Sequence, residues 1–486
     1  MNKEQYAELD AIFHPESMAV IGASPVADIA TLAHINTRIK DRLYLVNPKY
    51  NEIFGKKCYP GILDIKDHLD YAIILVNANL VPKMISDCIQ KGIKCVHIYT
   101  AGFSETGLPE NIELENTLKE MAKGRIRIIG PNCFGIYCPR SGLAIVPESS
   151  EEEGGIGVIA QSGSVAESFS YFGKTKNIRF SQVVSYGNAI DLDCPDFLEY
   201  MADDAETKMI ALYIEGSKNG GKLKEALAYA AARKPVVAIK GGLTDHGNRV
   251  ARSHTGQLTG TPELWRSLFR QCGVIQVRNN DELMNAAAAF SHSPLPKGNR
   301  VAMIANSGGF SVIQTDLCAA EGMAVPRFSQ DTLQKLRGMV PLAGTSIGNP
   351  LDAWPIFYKV SKDGGNLSEI IKAVASDENV DALVLMFDQF RYIRRGLKDG
   401  AAAHMKTITQ MMLEGSDYCR NILGKPVFLA VSLDPFLEDD GERNSNLELK
   451  RAFEQAGYPV YPSSEISVKA LGALYKYAKL TGSSRI

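Results

Sequence analysis

The sequence has 486 residues, and its 53 basic and 55 acidic side chains give a formal net charge of −2. This length predicts about three domains at about 150 residues each, and the balanced charge argues against nucleic-acid binding through bulk basic charge. No apolar run approaches the roughly 18 residues of a membrane-spanning helix, and the first residues contain no signal-peptide core. Nine cysteines without CxxC spacing indicate reduced thiols in a cytoplasmic protein without a metal site.

Short β-branched runs alternate with helical patterns along the chain. In the first third, helical spacing of apolar residues covers Val81–Gln90 and Ile112–Ala122. The predicted strands there are Met18–Gly22, Leu43–Val46, Ala72–Val76, Cys95–Thr100 and Ile126–Gly130. Nearly all-apolar strands separated by helices predict a parallel sheet covered on both faces. In such sheets ligands bind at the carboxyl ends of the strands.

Two further α/β units follow, and two polar stretches mark the boundaries. The acidic, glycine-rich stretch Glu148–Gly155 precedes the second unit, and Ser291–Arg300 precedes the third. The strands predicted in the second unit are Ile156–Ala160, Gln182–Ser185, Ile210–Glu215, Val236–Lys240 and Val274–Val277. Those predicted in the third unit are Val301–Ala305, Ala382–Phe387 and Val427–Val431. We therefore predict three α/β domains at residues 1–146, 147–292 and 293–486.

Small residues follow a strand at three strand-to-helix junctions. These are Gly22-Ala23-Ser24, Gln161-Ser162-Gly163-Ser164 and Asn306-Ser307-Gly308-Gly309-Phe310-Ser311. Backbone N–H groups and the positive end of a helix dipole at such a junction suit an anion. Each junction taken alone is also explained by a tight turn with an N-cap. None is a Walker A loop, and the first lacks the GxGxxG dinucleotide fingerprint. Lys49, after the second strand, is a candidate phosphate partner.

One histidine lies in an unusual setting. The stretch Arg252–Gly260 (RSHTGQLTG) surrounds His254 with small, polar and glycine residues. Most single histidines in loops are surface residues, but a glycine-bearing loop also suits a nucleophile that moves between sites. A neutral imidazole can attack a phosphoryl group if an acceptor fixes its tautomer. Glu215, at the end of a predicted strand, is a candidate acceptor.

Segments along almost the whole chain resemble a known family. They are SMAVIGAS, LVNPKYNEIFGKKCYP, IYTAGFSETG, IGPNCFGIYCP, IGVIAQSGSVAES, VSYGNAIDLD, ALYIEG, KPVVAIKGG, RSHTGQLTG, ANSGGFSV and GNPLDAW. In this order they resemble the α subunit of ADP-forming acyl-CoA synthetases, the acetate–CoA ligase (ADP-forming) group, which are relatives of succinyl-CoA synthetase. The combination of KGG and RSHTGxLxG after a GPNCxG segment is highly specific, whereas the GAS loop is not.

The resemblance implies a fold and a chemistry. The fold is α/β: a Rossmann-like CoA-binding domain followed by two flavodoxin-like, succinyl-CoA synthetase-like domains with parallel sheets. In the family, phosphate attacks acyl-CoA to give an acyl phosphate and free CoA. The phosphoryl group then passes to a histidine and from it to ADP, in a reversible reaction. ADP or ATP and Mg²⁺ bind through an ATP-grasp domain.

The family motifs also imply roles for individual residues. His254 would be phosphorylated, and Glu215 would orient it. Phosphate would be held at two helix N-termini by Ser162, Gly163, Ser164, Ser307, Gly308 and Gly309. Coenzyme A would contact Gly22, Ala23, Ser24, Lys49, Val76, Asn77, Thr100, Ala101, Gly102, Pro131 and Asn132.

The sequence departs from the family pattern at two places. After GASP, the family commonly has a basic stretch with proline and glycine, whereas this chain continues VADIATLAHIN. The chain also ends about where the ATP-grasp half of fused relatives begins. We therefore expect a separate ATP-grasp β subunit, in a heterotetramer, and no partner among nucleic acids or membranes.

Two other functions are alternatives to the ligase. A CoA-binding regulatory or scaffold protein could have the same fold, because function lies in the site; retention of His254, Glu215 and both phosphate loops argues against it. An NAD(P)-dependent oxidoreductase would need the missing GxGxxG fingerprint and an acidic ribose reader where Asn47-Pro48-Lys49 stands. The motifs leave open the acyl group, the physiological direction and the choice of ADP or GDP.

Overall fold

The computed structural model describes residues 1–26, 29–255, 260–305, 308–340, 345–352, 355–356, 366–387, 401–431 and 440–483, without the side chains of 251–255, 401–402, 440–444 and 483. They form two compact units, Met1–Met284 and Asn285–Ile486. In the described part of the chain, no helix is long and apolar enough to cross a membrane. The described side chains also form no group of three or more His, Cys, Asp or Glu residues that could hold a metal ion.

The first sheet of unit 1 has seven strands. They are β1 (Met18–Ile21), β2 (Leu43–Val46), β3 (Glu52–Ile53), β4 (Lys56–Tyr59), β5 (Tyr71–Ile74), β6 (Cys95–Ile98) and β7 (Arg127–Ile129), in the order β3-β4-β2-β1-β5-β6-β7. Only β3 runs antiparallel to its neighbour. The helices are α1 (Lys3–Phe13), α2 (Ile29–His34), α3 (Val81–Lys91) and α4 (Pro109–Ala122). Every residue of β1, β5 and β6 is buried, as expected for a parallel sheet covered on both faces.

The second sheet of unit 1 has six strands. They are β8 (Gly135–Tyr137), β9 (Glu153–Ala160), β10 (Phe180–Ser185), β11 (Met209–Ile214), β12 (Val236–Lys240) and β13 (Ile275–Val277), in the order β13-β12-β11-β9-β10-β8. Its helices are α5 (Gly163–Thr175), α6 (Cys194–Asp203), α7 (Gly220–Ala231), α8 (Asp245–Thr255) and α9 (Pro262–Cys272). The next helix, α10 (Asn280–His292), begins in unit 1 and ends in unit 2. The edge strand β8 pairs antiparallel with β10, and the other pairs are parallel.

The two sheets of unit 1 share one hydrophobic core. A single cluster of buried side chains contains Val20 of β1 and Ile159 of β9. Within it Phe13 of α1 stacks on Tyr200 of α6 with ring centroids 4.9 Å apart. At the seam, Arg127 of β7 donates two hydrogen bonds of 2.8 and 3.1 Å to the carboxylate of Asp191. This shared core fixes the carboxyl ends of β1, β5 and β6 relative to the start of α5.

Unit 2 contains a five-stranded parallel sheet. Its strands are β14 (Val301–Ala305), β15 (Leu351–Asp352), β16 (Ala382–Phe387), β17 (Val427–Val431) and β18 (Val460–Tyr461), in the order β15-β14-β16-β17-β18. Its helices are α11 (Gly308–Ala320), α12 (Gln330–Met339), α13 (Leu367–Ala375), α14 (Ala401–Asp417), α15 (Asp440–Gln455) and α16 (Ser464–Ser483). Along β14, Ala302 and Ile304 join one core cluster while Met303 and Ala305 join another. The sheet is therefore covered on both faces, because successive strand residues point to opposite sides.

The predicted parallel α/β architecture is confirmed, with three differences in detail. The predicted strands are present with ends shifted by a few residues, but the sequence reading missed the short strands β3, β4, β8, β15 and β18. Part of the predicted boundary Glu148–Gly155 belongs to a strand, because β9 begins at Glu153. The prediction of a loop around His254 is wrong for the residues up to Thr255, because α8 continues to that residue. Thr244 caps this helix by accepting the Gly247 N–H at 3.0 Å, a signal that the sequence reading overlooked. Residues 256–259 lie outside the described residues.

Candidate functional site

A cavity of about 380 Å³ lies at the carboxyl ends of β1, β5 and β6. It is lined by Gly22, Ser24, Val26, Ile29, Ala30, Leu75, Val76, Asn77, Tyr99 and Thr100. Gly22 has a φ of +95°, and a Cβ on it would lie 3.1 Å from the Leu75 carbonyl carbon. Glycine therefore satisfies both the backbone conformation and the close approach of the neighbouring strand end. The position and lining suit a nucleotide-like ligand at strand ends.

A second cavity of about 340 Å³ adjoins the first and shares Tyr99 and Thr100 with it. The residues that line it are Tyr99, Thr100, Ala101, Asn132, Cys133, Phe134, Gln161, Ser162, Gly163, Ser164, Gly187 and Asn188. The strand ends of the first sheet and the first turn of α5 thus border the same space. An extended ligand can lie in the first cavity and place its reactive end at the α5 N-terminus.

The N-terminus of α5 faces this second cavity with polar groups. The N-cap Ser162 makes no side-chain capping hydrogen bond, and its Oγ lies 3.1 Å from the Oγ of Ser164. The Phe134 ring packs on Gly163, where a Cβ would come within 3.0 Å of the ring. The Phe134 ring also stacks on Tyr99, with centroids 5.2 Å apart and planes 7° from parallel. First-turn N–H groups and two hydroxyls next to an aromatic wall can bind an anion that carries an apolar substituent.

Glu215 directly follows β11 and is held by the protein around it. Its side chain is buried, and its Oε1 accepts the Tyr213 hydroxyl at 3.0 Å. Its backbone N–H donates to the Gln161 Oε1 at 2.7 Å. Burial raises the pKa of Tyr213, and the Glu215 carboxylate raises it further. Gly241 of the adjacent strand end makes room for this pair, since a Cβ there would lie 2.8 Å from the Tyr213 Oη.

Lys240, the last residue of β12, is a buried cation close to this carboxylate. Its side chain is 3 % exposed, and its Nζ lies 4.9 Å from the centroid of the Trp265 ring. The amino group also donates to the Gly241 carbonyl. Burial lowers the pKa of Lys240 to about 8, although the Glu215 charge acts in the opposite direction. The charge of Lys240 is therefore sensitive to pH near neutrality, unlike that of an exposed lysine.

Asn188, which lines the second cavity, forms the centre of a buried network. Its Nδ2 donates to the Glu105 Oε2 at 2.6 Å and to the Glu115 Oε2 at 2.8 Å. Its carbonyl accepts from Lys218 Nζ at 2.7 Å. Glu115 also accepts the Ser104 hydroxyl at 2.7 Å. These contacts fix the cavity wall to the Ser104–Thr106 turn, against which α8 lies.

The structure places the predicted nucleophile on α8. His254 is the penultimate residue of this helix, and its side chain lies outside the described residues. The second predicted phosphate loop belongs to unit 2, where Ser307 lies outside the described residues and α11 begins at Gly308. Asp352 lies at this helix start, because a Cβ on Gly308 would be 2.9 Å from its Oδ2. Gly309 has open space around its Cα.

The structure separates the predicted coenzyme A residues into three groups. Those lining the first or second cavity are Gly22, Ser24, Val76, Asn77, Thr100, Ala101 and Asn132. Gly102 and Pro131 contact cavity walls through their backbones, Gly102 donating to Glu105 and Pro131 accepting from the Asn188 N–H. Ala23 is fully buried in the core, and Lys49 is exposed and lines neither cavity.

The sequence reading missed several residues that border the site. Tyr99 and Asn188 line the second cavity, and Lys240 lies near Glu215. The lysine that ends the otherwise apolar run VVAIK was a usable signal in the sequence. A lysine is rarely buried unless it has a partner, so its position predicts a nearby polar or acidic group. Tyr99 gave no such signal, because an aromatic residue beside a strand is ordinarily part of the core.

Known families and proteins match this chain over most of its length. A CoA binding domain model matches residues 16–139, and a succinyl-CoA ligase like flavodoxin domain model matches residues 153–290. The protein named Acetate--CoA ligase [ADP-forming] II subunit alpha, from Pyrococcus furiosus, is 34 % identical over 98 % of this chain and 99 % of its own length. This chain belongs to the family of ADP-forming acetate–CoA ligases. The family predicted from the sequence motifs is thereby confirmed.

Two other members of the ligase family add information on length and fold. The Acetate--CoA ligase [ADP-forming] of Methanocaldococcus jannaschii is 41 % identical over 71 % of this chain, which spans about half of that relative (49 %). The dinucleotide-forming acetyl-coenzyme A synthetase 1 of Candidatus Korarchaeum cryptofilum, solved with phosphate and ADP, superposes with a TM-score of 0.81 at 28 % identity. The match covers 98 % of this chain and 97 % of that one. The predicted fold class, a CoA-binding domain followed by succinyl-CoA ligase-like domains, is confirmed.

Proposed function

We propose that this chain is the catalytic α subunit of an ADP-forming acyl-CoA ligase that works through an acyl phosphate and a phosphohistidine. The observation that carries the proposal is the pair of adjoining cavities in unit 1. One lies at the strand ends of the CoA-binding sheet and the other at the N-terminus of α5, with Tyr99 and Thr100 common to both. A coenzyme A thioester in the first cavity could thus meet phosphate in the second.

The first step joins phosphate to the acyl group. A phosphate oxygen attacks the thioester carbonyl carbon, the C–S bond breaks, and coenzyme A leaves as a thiol after taking a proton. The first turn of α5 with Ser162, Gly163 and Ser164 would hold the phosphate, since its N–H groups and dipole favour negative charge. Gly22, Ser24, Val76, Asn77 and Thr100 would hold coenzyme A. Contacts of Ala23, Lys49, Ala101, Gly102, Pro131 and Asn132 with this ligand remain predictions.

The second step moves the phosphoryl group onto the chain. A nitrogen of His254 attacks phosphorus, the P–O bond to the acyl group breaks, and the acid leaves as a carboxylate. Glu215 would accept a hydrogen bond from the second ring nitrogen and stabilise the imidazolium that forms. An ADP oxygen then attacks phosphorus and the P–N bond breaks, giving ATP. Ser307, Gly308 and Gly309 are proposed as a second phosphate-binding loop on unit 2.

The nucleotide half of the reaction is assigned to a partner. We propose that a β subunit with an ATP-grasp domain supplies ADP and Mg²⁺ in a heterotetramer, and that the α chain comprises domains at residues 1–146, 147–292 and 293–486. A cytoplasmic location is proposed because none of the nine cysteines forms a disulfide. Free thiols are typical of proteins in a reducing compartment.

Intact-mass spectrometry at alkaline pH tests this proposal, because phosphohistidine is labile in acid. The chain is incubated with phosphate, Mg²⁺ and a panel of acyl-CoA thioesters, alone and with the candidate β subunit. We expect the mass of one phosphoryl group to be gained, and the best thioester to identify the acyl class. His254→Ala should abolish the gain. The matched control His246→Ala, an exposed histidine on the same helix α8, should retain it.

Three results would contradict the proposal. Phosphorylation that persists in His254→Ala would remove the histidine mechanism. Absence of phosphorylation with every thioester, even with the β subunit and with coenzyme A bound, would favour a CoA-binding regulatory protein. Complete ATP synthesis by the chain purified alone would remove the need for a nucleotide-binding partner.

A further inference from the structure

Gln161 lies directly before the α5 N-cap, and its side-chain amide has a fixed orientation. The residue is 1 % exposed and lines the second cavity. Its Oε1 accepts the backbone N–H groups of Glu215 at 2.7 Å and Gly216 at 3.1 Å. Because both of these partners are donors, the oxygen must face them and the NH₂ group must face away.

The Nε2 of Gln161 has no hydrogen-bond partner among the residues that the structure describes. Buried amide donors are ordinarily paired, and an unpaired one costs stability. Gln161 lines the same cavity as Ser162 and Ser164, whose hydroxyls lie 3.1 Å apart at the first turn of α5. All of these can donate, and the described lining of the cavity contains no carboxylate. A ligand rich in acceptor oxygens would satisfy the whole set at once.

We infer that Gln161 is a ligand-binding residue whose Nε2 donates a hydrogen bond to a phosphoryl oxygen of inorganic phosphate or acyl phosphate in the second cavity. The inference rests on the proposed function and extends it, since the junction Gln161–Ser164 gave phosphate-binding roles to Ser162, Gly163 and Ser164 but none to the side chain of Gln161. Gln161 also links two parts of the site, because its Oε1 holds the backbone of the carboxylate residue Glu215 while its Nε2 contacts the group to be transferred.

The Gln161→Glu variant separates the two ends of this side chain. A glutamate retains an oxygen for the Glu215 and Gly216 N–H groups, but it lacks the donor and places a negative charge beside the ligand. We expect inorganic phosphate to raise the melting temperature of the wild-type chain and to lose this effect in the variant. Stabilisation by coenzyme A should persist, which also establishes that the variant is folded. In the enzyme reconstituted with its β subunit, the KM for phosphate should rise at least tenfold, with the KM for the thioester within twofold of wild type.

Ser170→Ala is the matched control. Ser170 lies on α5, is buried, and its hydroxyl also has no hydrogen-bond partner in the described part of the chain, but it does not line the cavity. Its removal should leave the phosphate effect and both KM values unchanged. A crystal structure of the wild-type chain soaked in phosphate is independent of any variant, and it should place Nε2 within hydrogen-bond distance of a phosphate oxygen.

The outcomes distinguish this inference from the proposed function. If phosphate stabilises Gln161→Glu as much as wild type, or if bound phosphate lies beyond reach of Nε2, the assignment of Gln161 is wrong and the ligase proposal stands. If phosphate neither stabilises nor binds the wild-type chain, with coenzyme A present or absent, the phosphate site of the proposed function fails and the inference fails with it.

Discussion

Tyr213→Phe tests whether the hydroxyl at the end of β11 holds the carboxylate of Glu215. The substitution removes one buried hydrogen bond of 3.0 Å and keeps the ring. Hydrogen bonds to a charged group contribute about 1.5–3 kcal/mol, and a buried acceptor left without its donor costs a similar amount. Glu215 keeps further interactions, so we expect a loss of about 2 kcal/mol. Because the unfolding entropy is about 2.1 cal/mol/K per residue, unit 1 (Met1–Met284) should then melt about 3–4 °C lower.

Differential scanning calorimetry with urea unfolding at pH 7 provides the measurement. Tyr461→Phe is a suitable control, because this tyrosine is buried and its hydroxyl has no partner among the described residues; the change should be neutral or slightly stabilising. If Glu215 orients His254, Tyr213→Phe should also slow phosphorylation of the chain. A loss of stability below about 0.5 kcal/mol, within the range of ordinary surface substitutions, would refute the idea that this hydroxyl holds Glu215.

Two further predictions concern the first cavity and the buried lysine. Gly22→Ala places a Cβ at a φ of +95° and 3.1 Å from the Leu75 carbonyl carbon, so the free energy of unfolding should fall by about 1–3 kcal/mol. Titration calorimetry should also show weaker binding of coenzyme A. An unchanged affinity would mean that coenzyme A does not bind in the first cavity. The fluorescence of Trp265 should change with pH, with a midpoint near the Lys240 pKa of about 8. Lys240→Met should abolish this transition. A midpoint near 10.5, the ordinary pKa of a lysine, would contradict burial of the Lys240 charge. Because the folded pKa lies below the unfolded one, the unfolded chain binds more protons between these values, and stability should increase as pH rises from about 8 to 10.5.

The parallel sheets could be predicted because most of their strands are visible as short apolar runs in the sequence. Val301–Ala305 and Val427–Val431 are continuous apolar runs, and the structure has strands with those bounds. The missed strand Gly135–Tyr137 contains only three residues and pairs with a partner almost fifty residues later in the chain. Such pairing leaves no local pattern. The N-cap at Thr244 was not predicted, because the first turn that follows it contains His246 and Gly247, and glycine is unfavourable in a helix.

The site could be predicted only in part, for a related reason. The junction Ser162–Ser164 combines a strand end, small residues and a helix start, all of which are local features. Gly22 and Ser24 follow the same logic, and both line the first cavity. Lys49 satisfies a local expectation for a phosphate partner, yet its side chain is exposed and lines neither cavity. Distance between side chains is a tertiary property that spacing along the chain does not encode.

The sequence by itself determined the class of sheet, the family, and the strand ends that are followed by small residues. These features could be predicted because apolar periodicity and short motifs depend only on residues that are close together along the chain. Only the tertiary structure decided which side chains meet. It joined the cavities through Tyr99 and Thr100, and it brought Gln161 to the backbone of Glu215. These contacts arise from packing two sheets on one core, a process that depends on the summed shape of many buried side chains rather than on any local pattern.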